Sequence, residues 1–183
     1  MKSVEGIILK KSPRREADAV FTLYTKEHGL MELVAKGVRK GSAKLKSGLD
    51  VFNHAEIFYA PAKHWSIVTD FKIKNNFKNI KQNLFRLKLT HFASVAILKI
   101  FEPGLAEPRV WQKVLDFFTG LENSQSNKEE LIGSTYFWCH DILVLNGLNP
   151  RSPDFSPINT VDLKKKTEEL FLYHFGISIS KLI

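Results

Sequence analysis

One cysteine in 183 residues cannot close an internal disulfide, and none of the six histidines stands four positions from another. A zinc site needs several Cys or His side chains at close spacing, so neither kind of staple is expected to hold this fold. Phosphate-binding glycine motifs of the Walker or Gly-x-Gly-x-x-Gly type and nucleophile elbows are missing, and the acids are scattered singly or in adjacent pairs. The expectation is a protein without a cofactor and without catalysis of its own. No run approaches the ~18 apolar residues of a spanning helix. The first residues, Met1-Lys2-Ser3-Val4-Glu5-Gly6, lack the apolar stretch of a secretory signal, so a soluble, cytoplasmic chain is expected.

What the sequence does have is positive charge in one place. The net charge is +8, and residues 1–82 hold 16 of the 27 Lys+Arg but 8 of the 19 Asp+Glu. The rest of the chain carries 11 of each sign and is neutral. Five cations, Lys36, Arg39, Lys40, Lys44 and Lys46, fall within eleven positions that contain no acid and have glycine at 37 and 41. A field of one sign over one half of a protein attracts polyanions and speeds encounter with them, which points to nucleic acid.

The same half reads as strands. Short runs rich in Val, Ile, Phe, Tyr and Thr, bounded by Gly, Pro and Asp, occur at Val4–Lys11, Ala19–Lys26, Leu30–Gly37, Val51–Ala60 and His64–Lys74. Glu27-His28-Gly29 closes a tight turn in which Gly29 can take positive φ, and Pro61-Ala62-Lys63 turns between the last two runs. Five antiparallel strands with one long basic connection predict a small closed barrel of the OB type over residues 1–78.

From Asn79 the apolar period lengthens to three and four. One helix is expected from Asn79 to Phe101, ended by Pro103-Gly104, and a second after Pro108. A third, Lys128 to Asn146, is apolar on nearly every side and is expected at the buried centre of a bundle. A last helix runs from an Asp162 N-cap to His174, with Gly176 just past its end. The fold class is therefore α+β, with a five-stranded OB-type barrel followed by an α-helical domain over residues 79–183.

OB barrels take single strands in a basic groove lined by aromatic faces. Lys36, Arg39, Lys40, Lys44 and Lys46 are the expected phosphate contacts, extended by Lys10, Lys11, Arg14 and Arg15 on the connection after the first strand. Phe21, Tyr24, Phe58, Tyr59 and Trp65 lie in the same domain, and alternation turns some of them inward; Tyr24, Tyr59 and Trp65 are the base-stacking candidates. His91 and Cys139 sit on apolar stripes and read as a satisfied core histidine and a small buried hydrophobe. Glu129-Glu130 and Glu168-Glu169 read as carboxylates near helix starts, and Lys164-Lys165-Lys166 as a solvated triplet.

Taken in order, Glu5-Gly6-Ile7-Ile8-Leu9, Glu16-Ala17-Asp18, Phe21-Thr22-Leu23-Tyr24-Thr25-Lys26-Glu27-His28-Gly29-Leu30, Ala35-Lys36-Gly37-Val38-Arg39-Lys40 and Leu49-Asp50-Val51-Phe52 resemble the N-terminal domain of the DNA repair protein RecO family. The likeness continues more faintly to Leu143-x-x-x-Gly147-x-x-Pro150. It implies a recombination mediator that binds single- and double-stranded DNA, anneals complementary strands and helps load RecA, working with RecR and with the acidic tail of single-stranded-DNA-binding protein, in a nucleoid-associated cytoplasmic setting. Many members carry a four-cysteine zinc module after the segment corresponding to Gly147–Pro150, where this chain reads Arg151-Ser152-Pro153-Asp154-Phe155-Ser156-Pro157; a short form lacking that module is expected. A tail ending in acids and an apolar residue needs an apolar groove flanked by cations, for which Arg86, Lys88, Arg109 and Lys113 are candidates. An RNA-binding OB module would share the same charge map and is the alternative reading.

Overall fold

The computed structural model describes residues 1–39, 48–148 and 160–182. Five strands, β1 (Lys2–Arg14), β2 (Asp18–Thr25), β3 (Gly29–Ala35), β4 (His54–Ala60) and β5 (Ile67–Asn75), close into a barrel in the order β1-β2-β3-β5-β4. All pairings are antiparallel except the single β3–β5 contact, Val34 with Ile67, which is parallel and seals the cylinder. The expected five-stranded barrel of the OB type is present. Alternation explains its core: Val4, Ile8, Phe21, Leu23, Leu33, Ala35, Ile57, Tyr59 and Val68 point inward and pack together with Val38 and Leu49.

β1 is longer than its apolar run implies. Its residues 2–7 pair with β4 and residues 6–14 with β2, with the register slipping by one at Leu9 between Ile8 and Lys10. A bulge of this kind adds twist and lets one strand serve two neighbours around a small barrel. Lys10, Lys11 and Arg14 consequently lie on a paired strand, and only Arg15 of that group lies on the turn that follows.

The chain divides into two compact units, Met1–Lys78 with Phe101–Trp111, and Asn79–Ile100 with Gln112–Ile183. The short segment from 101 to 111 is thus part of the barrel's unit. Phe101 packs on Tyr24 with ring centroids 5.4 Å apart, Gly104 N donates to Leu30 O at 3.2 Å, and Trp111 lies 5.7 Å from the ring of His54. Gly29 makes the approach feasible. It takes φ of +62°, and a Cβ there would stand 2.0 Å from the Leu105 carbonyl oxygen, so any side chain would meet both backbone strain and a clash.

The second unit holds α2 (Leu84–Ile100), α4 (Lys128–Leu145), α5 (Thr160–Phe175), α6 (Ile179–Leu182) and most of α1 (Lys78–Gln82) and of α3 (Pro108–Asn123). The single helix expected from Asn79 to Phe101 is broken at Asn83, whose side-chain oxygen accepts from the amides of Phe85 and Arg86 and so starts α2 afresh. Glu122 closes the first piece by accepting from the amides of Asn79 and Ile80 at 3.0 Å each. Aromatic rings fill the core: Phe117 stacks on Trp138 at 4.9 Å, and Phe92 meets both Trp138 and Phe171.

Other details of this unit depart from expectation. α4 buries Leu131, Thr135, Trp138, Cys139, Ile142 and Leu143 but leaves Phe137 and Val144 exposed, so it lies against the core on one side and is not enclosed. Its start is a capping box, Asn127 Oδ1 accepting from Glu130 N and the Glu130 carboxylate accepting from Asn127 N. Asp162 falls in the first turn of α5 rather than at its N-cap. His91 is exposed, not a core histidine. Glu168 is not near a helix start; it sits well along α5 and accepts from Tyr136 Oη, Ser178 Oγ, Ser180 Oγ and Ser180 N, tying down α6. With burial and that carboxylate beside it, the Tyr136 phenol is pushed up to about 12. Cys139 is fully buried, and desolvation holds its thiol well above the usual range.

Candidate nucleic-acid interface

Strand direction determines which charges meet. β2 starts and β3 ends at one rim of the barrel, and three hydrogen bonds lock the segments there, one between backbones and two with a side chain on one end. Gly37, at φ +67°, donates its amide to Asp18 Oδ1 at 2.8 Å; Arg39 N donates to Ala17 O at 2.9 Å; and Arg39 Nη1 donates to Arg15 O at 3.1 Å. The turn after β3 is therefore laced to the β1–β2 turn, which places Lys36 and Arg39 beside Arg14 and Arg15. Arg15 itself holds φ of +53°, a conformation uncommon for a side-chain-bearing residue.

The β4–β5 loop joins the same rim. Val34 N donates to Ser66 O at 2.9 Å, pinning the loop to β3, and the Arg14 guanidinium lies 4.3 Å from the centre of the Trp65 ring. The same loop carries Lys63 and His64, both exposed, immediately before Trp65 in the chain. Neither stood out in the sequence, where Lys63 reads only as a turn residue; the signal was an aromatic in a hairpin loop flanked by basic side chains.

Arg15, Lys36, Arg39 and Lys63 are exposed and Arg14 is half-buried. Among the described residues no ion pair engages any of these five. Two acids share the rim, Glu16 and Asp18, and Asp18 is occupied by the Gly37 amide. Uncompensated cations on two turns and a loop, around one half-buried indole, can neutralise phosphates and offer a flat apolar face.

The other expected site residues sort differently. Lys10 and Lys11 are exposed on β1, Lys11 Nζ lying 5.4 Å from the centre of the Phe21 ring. Lys40, Lys44 and Lys46 lie outside the described residues, as does the segment Arg151–Pro157. Tyr24 and Tyr59 are buried, at 0% and 4% exposure, which corrects their candidacy as stacking platforms. Inward alternation takes Tyr59 into the barrel core, and Tyr24 is covered by Phe101; burial raises the Tyr24 phenol far above its ordinary value, helped by Glu107. Trp65 alone of the three keeps part of its surface open.

At the opposite rim, Glu5 accepts from Lys74 Nζ at 2.6 Å and pairs with His54 Nε2 at 2.9 Å. Burial raises the Glu5 carboxyl, but the bonds to Lys74 and His54 outweigh it and the net shift is downward. Desolvation lowers His54, opposed by Glu5. Here Glu5, Lys74 and His54 close on one another, whereas at the first rim no ion pair engages the five cations among the described residues.

In the helical unit, Arg86 is not available as a tail contact, because its guanidinium donates to Glu122 O and Ser124 O at the end of α3. Lys88 is exposed on α2, and Arg109 is exposed but falls in the barrel's unit. Lys113 lines a groove of about 350 Å³ between α3 and α4, floored by Phe117, Leu121, Leu131 and Trp138. Its ammonium is held by Asp141 at 2.6 Å, which raises its pKa. Among the described residues no group of three or more His, Cys, Asp or Glu could hold a metal ion, and no helix is long and apolar enough to cross a membrane.

Comparison with known proteins follows the same division. Residues 1–77 match the family model described as "Recombination protein O N terminal". The chain is similar to the DNA repair protein RecO of Syntrophomonas wolfei, 25% identical over 122 residues that cover 67% of this chain and 49% of that protein. It is 29% identical to the protein of that name from Dehalococcoides mccartyi over 145 residues, 79% of this chain and 56% of the relative. To the protein of that name from Moorella thermoacetica it is 31% identical over 100 residues, 55% and 38%. The chain spans about half the length of the relatives it matches.

Proposed function

Because the chain belongs to the RecO family and its barrel matches that family's N-terminal domain, we propose that it is a DNA repair and recombination mediator that binds single- and double-stranded DNA and brings complementary strands together. It acts without bond chemistry of its own: cations at the open rim replace the counterions of the phosphates, which lowers the repulsion between two strands. The observation that carries this reading is the group Arg14, Arg15, Lys36 and Arg39, drawn together at the rim that holds Trp65 and engaged by no ion pair among the described residues; Lys63, two positions before Trp65 in the chain, would add to it. Lys40, Lys44 and Lys46 would extend the track from the turn after β3, and Lys10 and Lys11 along β1.

The partners proposed with it are RecR, RecA indirectly, and the C-terminal tail of single-stranded-DNA-binding protein. The α3–α4 groove supports the last of these, having an apolar floor and Lys113 at its edge to meet a carboxylate. Such a carboxylate must displace Asp141 from the ammonium. The test of the main reading is an annealing assay. Complementary oligonucleotides mixed with the protein should pair faster than without it, and no strand should be cut when magnesium is present; unchanged annealing, or cleavage, would contradict the proposal.

A further inference from the structure

We propose that the Arg14 guanidinium is an exchangeable cover over Trp65, a base-stacking platform that gives the open rim a preference for unpaired over paired DNA. The inference rests on the rim being the DNA-binding face and adds how that face tells strands apart. Trp65 is held as a platform should be. Its loop is fixed to β3 through Val34 N and Ser66 O at 2.9 Å and through the Val34–Ile67 bridge, and its ring is half-buried, so one part is seated and another open. Arg14 is the last residue of β1, its backbone paired with Asp18. Its guanidinium, 4.3 Å from the indole centre, reaches the ring on a long flexible stem.

The balance of interactions favours exchange when a single strand arrives. An exposed cation–π contact is worth a factor of roughly two to five. A base stacked on an aromatic side chain is worth roughly five- to a hundredfold. The displaced guanidinium loses nothing of consequence, because a phosphate of the same strand is a better partner for it than a ring. A duplex cannot make this exchange. Its bases are already stacked on one another, and it shows the rim only phosphates and groove edges. Phosphate contact at Arg15, Lys36 and Arg39 would therefore serve both forms of DNA, whereas the indole would serve one.

Binding of an unstructured oligothymidylate and of a duplex of the same length to the full chain tests this. Trp65→Ala is expected to weaken single-strand binding by roughly five- to a hundredfold, to leave duplex binding within about twofold, and to keep the salt dependence of both. Trp65→Phe, which keeps a ring and guards against misfolding of the alanine variant, should restore most of the single-strand affinity. The other two tryptophans, Trp111 and Trp138, are buried, so tryptophan emission should change on adding the oligothymidylate in the native chain and not in Trp65→Phe. Equal loss for both forms of DNA, no loss for either, or an emission change that persists in Trp65→Phe would overturn the proposal while leaving the rim as a DNA-binding face. Absence of any salt-sensitive binding by the native chain would overturn both readings together.

Discussion

The barrel rim and the helical unit treat charge in opposite ways. In the helical unit polar groups are spent on the fold: Arg86 holds the end of α3, Glu122 caps α1, Glu168 gathers α6, and Lys113 is paired with Asp141. At the open rim the cations form no ion pair among the described residues, and the shape is held by the amides of Gly37, Arg39 and Val34, with one exposed side-chain bond, Arg39 Nη1 to Arg15 O, added. Where side chains are already committed to structure, replacing them should cost stability; where the backbone holds the shape, replacing them should cost binding alone. Surface charges without partners contribute little to stability, so the two effects are separable.

The largest expected effect sharpens the helical side of this contrast. Phe171 is fully buried against Phe92, and Phe171→Ala should cost about 3–5 kcal/mol in chemical denaturation. DNA affinity measured where the variant is still folded should stay within about twofold of the native value. On the barrel side, Lys36→Ala, Arg39→Ala and Lys63→Ala together should weaken DNA binding by roughly a hundredfold at about 0.1 M salt through loss of three phosphate contacts. The melting temperature should barely move, since the bond lost with Arg39, from its Nη1 to Arg15 O, is solvent-exposed. A triple variant that unfolds would break the contrast, because the rim cations would then be structural.

Gly29→Ala comes next. It sets a side chain at positive φ against the Leu105 backbone and should cost about 2 kcal/mol or more of stability, read by thermal unfolding. The smallest effect concerns the closed rim. His54 has its pKa lowered from 6.5 in the folded chain, so the stability it contributes is full above 6.5 and is lost as pH falls through the folded value. Glu5, lowered from 4.5, contributes in the same sense, full above 4.5 and lost below. Melting temperature should therefore fall on acidification through both ranges, and Glu5→Gln should remove the lower step.

The barrel was the more legible of the two regions, because a strand buried on one face writes its burial into every second residue. Phe21 and Leu23 alternate inward as their spacing requires, and Gly29 takes positive φ as its turn requires. What escaped was long-range. Nothing local in Phe101 or Leu105 announces that they close over Tyr24 and Gly29, and this is also why Tyr24 reads as a stacking face in the sequence. The break at Asn83 is not legible in the sequence because an apolar period continues through it, while what divides the two helices is one side chain bonding two amides. At the rim, Arg14, Arg15, Lys36 and Arg39 were legible as a charge surplus. Lys63 and His64 were not, since their meaning depends on a loop being pinned to β3.

The central claim is that the barrel binds DNA by neutralising phosphates with its rim cations, and the dependence of affinity on salt tests it most directly. For a single strand with about five phosphates neutralised, the logarithm of the association constant should fall against the logarithm of salt concentration with a slope of roughly −3.5. A slope near zero would contradict it.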